Sequence, residues 1–197
     1  MKTIMYLTRH GQTEENVNHI LQGWMPGHLS KEGIRQVEHL REELKKLHFD
    51  AIVCSDLKRC IDSANIINEP HGLQLITTPL LRERDWGSLT GKNILNEVVN
   101  LKVRNFPADV ESEPLIYERA LKFLRFIQQN FAGKQILAVG HGMIDRYIQA
   151  VWKGTTIRDI PRMENAEVRK LEIDDNQTFL LPEGVTPTIS QSNVSDA

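Results

Sequence analysis

The chain has 197 residues, with 24 Lys and Arg against 26 Asp and Glu, giving a net charge of -2 and a pI of about 6.4. No overall positive field therefore draws it to nucleic acid or to an anionic membrane. That length suits one domain whose layered core needs neither disulfides nor metals to hold it. The apolar run before Thr8 is too short for a secretory leader, no stretch reaches the length of a membrane span, and Cys54 and Cys60 lack zinc-like spacing, so a cytoplasmic protein with reduced thiols is expected.

In chain order, Ile4 to Leu7 is an apolar run that reads as a buried strand and ends at Thr8-Arg9-His10-Gly11. Leu29 to Gly33 opens a helix, with Ser30 as its N-cap and Ile34, Val37, Leu40, Leu44 and Leu47 recurring at helical spacing as its core face. Ala51 to Cys54 is a second buried strand, Leu57 to Asn68 the helix after it, stopped by Pro70, and Gln74 to Thr77 a short third strand. Residues 92–103 and 114–130 are predicted helical, with Leu121, Leu124 and Ile127 inward on the second. Gln135 to Val139 is a fourth strand leading into Gly140-His141-Gly142, Met143 to Trp152 is its helix, and Glu167 to Ile173 alternates as a half-exposed strand. Beyond residue 180 the sequence is polar and aperiodic, so residues 1–180 are expected to form the domain and 181–197 a loosely ordered tail. Strands alternating with helices imply a three-layer α/β/α sandwich with a largely parallel central sheet.

Two apolar strands each end in His-Gly, and ligands in such sheets collect beyond the carboxyl ends of the strands, so His10 and His141 are expected to face one crevice. Arg9 adds a planar cation suited to phosphate oxygens. A thiol nucleophile would instead need Cys and Arg at the two ends of a phosphate-cradling loop. Only Ser55 to Lys58, with no glycine, separate Cys54 from Arg59, and that spacing fails. His19, His28, His39, His48 and His71 show no metal-ligand spacing and read as surface residues.

Arg9-His10-Gly11-Gln12-Thr13-Glu14-Glu15-Asn16 resembles the R-H-G-(E/Q)-(T/S)-x-x-N signature of the histidine phosphatase superfamily, which includes the cofactor-dependent phosphoglycerate mutases. Four further blocks follow in the family's order: Leu21-Gln22-Gly23, Ser55-Asp56-Leu57-Lys58-Arg59-Cys60, Leu81-Arg82-Glu83 through Gly87, and Val139-Gly140-His141-Gly142. The resemblance implies a phosphoglycerate mutase-like fold, His10 as the nucleophile that carries a phosphohistidine, and Glu83 as the general acid. It also implies a phosphate pocket of Arg9, Arg59, Asn16 and His141, and substrate contacts at Gln22, Gly23 and Arg84. Glu14 and Glu15 are assigned to the exposed opening turn of a helix and carry no chemistry.

The family contains both hydrolases and mutases. Gln22 stands where mutases resemble one another in carrying Ser or Thr, and residues 88–113 lack their Arg-Arg pair, which favours a phosphomonoester hydrolase acting on a small phosphorylated metabolite. Leu81 to Gly91 is close to the mutase form, and Arg84 keeps cofactor-dependent phosphoglycerate mutase as the alternative. An idle phospho-ligand binding module is a third reading, disfavoured because His10, Glu83 and His141 are all present. The expected partner is the phosphorylated substrate alone, without nucleic acid, membrane or metal. No cofactor is expected unless the mutase reading holds, which would bring in 2,3-bisphosphoglycerate. The oligomeric state is not legible.

Overall fold

The computed structural model describes residues 1–95 and 106–186. Its sheet has five strands, β1 (Lys2–Arg9), β2 (Ala51–Ser55), β3 (Leu75–Thr78), β4 (Gln135–Gly140) and β5 (Val168–Asp174), in the spatial order β3-β2-β4-β1-β5. The first four are mutually parallel and β5 runs antiparallel on β1. Helices α2 (Lys31–Leu44) and α3 (Lys58–Asn68) supply one cluster of buried side chains, with Ile52, Cys54, Leu137 and Val139 from the sheet. Helices α4 (Glu113–Asn130) and α5 (Gly142–Lys153) supply the other, against Met5, Leu7, Val53, Ile136 and Ala138. The central strands are thus buried on both faces, which is why they read as unbroken apolar runs and not as alternations. The edge strand β5 does alternate, burying Leu171 and Ile173 between exposed neighbours.

The expected elements form with small shifts at their ends, and four details differ. Ile34 is 39% exposed, because α2 turns Gly33, Val37, Leu40 and Leu44 to the core. Gly33 takes that face since its backbone meets the chain after β1: a Cβ there would lie 1.9 Å from the Gln12 carbonyl oxygen. Leu47 lies past the end of α2 and packs, half-buried, on the same cluster. On α4 the buried face is Ile116, Tyr117, Ala120, Phe123, Leu124 and Ile127, which leaves Leu121 at its margin. Of the helix expected over 92–103, residues 92–95 form a bridge and turn, with Asn93 paired to Ile20, and the rest falls outside the described residues.

Short helix α1 (Glu14–Val17) is closed by a capping box in which Thr13 and Asn16 exchange side-chain and backbone hydrogen bonds. Past residue 180, Leu181 and Val185 still pack on the α4/α5 cluster, and residues 187–197 lie outside the described part. No helix among the described residues is long and apolar enough to cross a membrane.

Candidate active site

Register places the two histidines. In the parallel β1/β4 pair Arg9 stands opposite Gly140, so His10 and His141 leave the sheet side by side at its carboxyl edge. The His10 amide donates to the Gly140 carbonyl at 3.1 Å, and the rings meet edge to face with centroids 5.1 Å apart. His10 Nδ1 lies 2.7 Å from the Gly11 carbonyl, a contact only a protonated Nδ1 can make favourably, so Nε2 keeps its lone pair. Burial, and then the charges of Arg59 and Arg9, hold the imidazole well below its ordinary pKa, and it is neutral at pH 7. The glycine after it is required for approach: a Cβ on Gly11 would sit 2.5 Å from the Gly33 carbonyl oxygen.

Two arginines flank this nitrogen. Arg9 donates through one terminal nitrogen to the Met163 carbonyl at 2.9 Å, while its Nε is buried with no protein partner. Gly142 explains the second His-Gly, because a Cβ there would come within 3.2 Å of that Nε. Arg59, at the start of α3, is 1% exposed and held by the 23–26 loop through the carbonyls of Gly23 (2.8 Å) and Met25. Its Nε donates to His141 Nδ1 at 3.1 Å.

That last bond bears on His141. The resemblance implies that His141 faces the phosphoryl group, but with Nδ1 accepting from Arg59, its Nε2 lies 3.3 Å from Cys60 Sγ, whose thiol in turn donates to the Gly140 carbonyl at 3.1 Å. His141 is 0% exposed and packs against Arg59 and the His10 ring. Cys60, the residue after Arg59, offers the imidazole an acceptor in its sulfur. Cys54 is a buried core thiol, its pKa pushed up to about 12 by burial.

The other expected residues converge on one cavity of about 620 Å³, lined among others by Arg9, His10, Asn16, Gln22, Gly23, Arg59, Glu83 and Arg84. Glu83 accepts the Arg84 amide at 2.8 Å and the Met143 amide in the first turn of α5 at 3.2 Å. Its own carbonyl is gripped by the Trp24 indole at 2.8 Å. Asn16 spends its carbonyl oxygen on the Thr13 amide at 3.1 Å, which leaves its amide nitrogen for the cavity. Gln22 is buried with its side-chain oxygen unbonded. Gly23, at φ 48°, orients a carbonyl toward Arg59, so its part is played through that arginine. Arg84 is 5% exposed, donates to the Glu111 carbonyl, and lies 4.9 and 4.5 Å from the Trp86 and Phe106 ring centres.

Three features escaped the sequence reading. Asn165 and Ala166 clamp the backbone at His10: the Asn165 amide donates to the His10 carbonyl at 3.1 Å, and Ala166, at φ 57°, donates its N–H to the Arg9 carbonyl at 3.1 Å. Arg146, Arg158 and Arg162 also line the cavity. Asp145 is 0% exposed, neither carboxyl oxygen has a partner, and Gly140 gives it room, since a Cβ there would lie 2.0 Å from Oδ1. The one available signal was an acid set among the apolar residues Ile144, Ile148 and Val151 of that helix.

Burial, with Glu83 nearby, pushes the Asp145 pKa well above the ordinary aspartate range, so the folded protein holds it as the neutral acid. A raised folded value means that stability is lost as pH climbs from the unfolded value toward the folded one. Asp145→Asn keeps the shape and cannot ionise. Its advantage over wild type in urea unfolding should therefore grow as pH rises above the unfolded aspartate value of about 3.9. A difference that does not change with pH would show that Asp145 ionises freely.

Residues 5–183 match the histidine phosphatase superfamily (branch 1). A protein of Schizosaccharomyces pombe described as a probable phosphatase is 30% identical over 188 residues, covering 88% of each chain. A 2,3-bisphosphoglycerate-dependent phosphoglycerate mutase of a Methylobacterium species is 29% identical, over 83% of this chain and 87% of its own. Among solved structures, YhfR of Bacillus stearothermophilus superposes with a TM-score of 0.82 at 27% identity, over 93% of this chain and 98% of its own. With the nucleophile box, the acid box and the second histidine all assembled at one sheet edge, this chain belongs to the histidine phosphatase superfamily.

Proposed function

We propose that the chain is a phosphomonoester hydrolase that works through a phosphohistidine on a small phosphorylated metabolite. The observation that carries this reading is His10: a neutral imidazole, its Nδ1 fixed on Gly11, set in one cavity with Arg9, Arg59 and Glu83. Nε2 attacks phosphorus as the ester P–O bond breaks, and Glu83 gives its proton to the departing alkoxide. The guanidinium groups of Arg9 and Arg59 stabilise the charge that gathers on the phosphoryl oxygens, and the Asn16 amide adds a further donor. In the second half Glu83, now a carboxylate, takes a proton from water as that water attacks phosphorus. The N–P bond breaks, inorganic phosphate leaves and His10 is neutral again.

His141 acts here as a positioning residue for Arg59. Gln22, Gly23 and Arg84 shape the wall that meets the rest of the substrate. Arg84, the residue nearest the mutase form, stacks on Trp86 and Phe106, which suits a wall better than a grip on a second phosphoglycerate group. Two buried free thiols suit a reducing cytoplasm.

Rapid-quench labelling tests the reading. Brief mixing with a 32P-labelled phosphomonoester should trap label on wild-type protein that is labile in acid and stable in base, as a phosphoramidate is. Free phosphate should be released in EDTA at nearly the untreated rate, because two guanidinium groups already supply the positive charge a metal would bring. Acid-stable label, or activity lost in EDTA and restored by magnesium, would refute it. Conversion of 3-phosphoglycerate to its 2-isomer with bisphosphoglycerate, without net hydrolysis, would instead establish the mutase.

A further inference from the structure

The phosphoryl group occupies only the floor of the cavity, and the walls above it differ in chemistry. One wall is apolar, with Ile20, Leu21, Trp86, Ile94 and Phe106. The other is built from α5 and the loop after it, and presents Arg146, Arg158 and Arg162. None of these three is needed to hold a phosphoryl group that Arg9 and Arg59 already flank.

The loop is fixed in place. Arg146 donates from Nε and a terminal nitrogen to the Ile160 carbonyl at 3.0 and 2.8 Å and to the Ile157 carbonyl at 2.9 Å. Arg158 and Arg162 stand on and just after that stretch, with exposed side chains. The neighbouring acids are committed elsewhere or lie on other segments. Asp159 accepts from Thr155 and from the Thr156 hydroxyl at 2.6 and 2.9 Å and also feels Arg158 beside it, Glu167 is paired with Arg169 at 2.7 Å, and Glu113, on the cavity lining, acts on Arg84. Burial depresses the Arg146 pKa, and the charges of Arg162 and Arg169 add to it against the opposing pull of the Tyr147 and Tyr117 hydroxyls. Cations gathered on one cavity wall give it a positive field that favours an anion there.

We infer that Arg158 and Arg162, on the loop held by Arg146, form a second anion subsite, and that the substrate is a phosphomonoester carrying a second anionic group, a carboxylate or another phosphate. The inference rests on the phosphohistidine reading for the floor of the site. Arg162 supplies a planar fork able to accept either group in two-point fashion, and Arg158 adds charge at the mouth. The apolar wall covers the carbon skeleton between the two ends. Neutral sugars and amines on the far end of the ester are disfavoured by the same cations.

Three esters of equal length test this: propane-1,3-diol monophosphate, 3-phosphooxypropanoate and propane-1,3-diol bisphosphate. Wild-type kcat/KM should be at least about 10-fold higher for one of the two doubly anionic esters than for the monophosphate, and which of them leads identifies the second group. In the Arg158→Gln/Arg162→Gln double variant this ratio should collapse by about 10- to 100-fold, mostly through KM, and Arg162→Lys should restore part of it. Circular dichroism and thermal melting check that the double variant is folded. A wild-type ratio near one, or a ratio untouched in the folded double variant, would overturn the subsite. The 32P quench on wild type separates the two readings: acid-labile label with no preference for a second charge refutes the subsite alone, whereas no label from any of the three esters refutes the floor and the subsite with it.

Discussion

His10→Ala should yield a folded protein whose turnover has fallen by about 10⁴-fold or more, because in the proposed mechanism the substitution removes the atom that forms the covalent intermediate, and no other imidazole or thiol among the described residues lines the cavity. The nearest imidazole, His141, has its nitrogens on Arg59 and Cys60, and both thiols are held in their protonated form by burial. In rapid-quench experiments the variant should carry no acid-labile label, and label persisting on it would move the nucleophile elsewhere. A pH signature accompanies the loss. His10 and His141 are both held neutral by burial and by arginines, so stability in the wild type declines as pH falls below the unfolded value of about 6.5, where the unfolded chain gains protons the folded one refuses. Removing His10 takes away one of these groups. Urea unfolding between pH 7.5 and pH 5 should therefore show a shallower acid decline in His10→Ala, measured as a change within each protein so that the lost packing cancels.

Glu83→Gln should have the second largest effect, and its size should depend on the leaving group. Glutamine keeps an oxygen to accept the Met143 and Arg84 amides and so preserves the local backbone, but it has no proton to transfer. Proton donation is typically worth about 10²–10⁴ in rate, and an alkyl phosphate, whose alkoxide is strongly basic, should lose that much. A nitrophenyl phosphate should lose far less, since its phenolate departs unaided. Because phosphorylation of His10 does not need the acid when the leaving group is good, the label should still form from the nitrophenyl ester in this variant. Equal losses for both esters would make Glu83 a residue that shapes the pocket and would move the proton donor elsewhere.

The site was legible to the extent that its parts are local. His10 and His141 announce themselves because each ends a strand and is followed by glycine; at Gly11 the Gly33 carbonyl leaves no room for a Cβ, and at Gly142 a Cβ would crowd the Arg9 guanidinium. The parallel core was legible because strands buried on both faces leave unbroken apolar runs. What could not be read arises from approaches between distant segments. Ile34 fits the apolar spacing of its helix as well as its neighbours do, and only the contact between Gly33 and Gln12 decides which stripe goes inward. The His141 ring lies against a sulfur 81 residues earlier in the chain, and the arginines at 158 and 162 join the cavity on a loop held by Arg146, Arg169 and Tyr117 from other segments. Asp145 reads as a polar helix position until the sheet closes over it.

Where the backbone of each group is anchored has a consequence for how the enzyme fails. The spacing of His10 and His141 is written in main-chain bonds between two central strands, the segment expected to open only with global unfolding, while Arg158 and Arg162 ride on a surface loop held by side chains, those of Arg146, Arg169 and Tyr117. The reaction therefore belongs to the most protected unit of the molecule and discrimination to a segment outside it. Under mild denaturant or gentle heating such a catalyst becomes indiscriminate before it becomes idle.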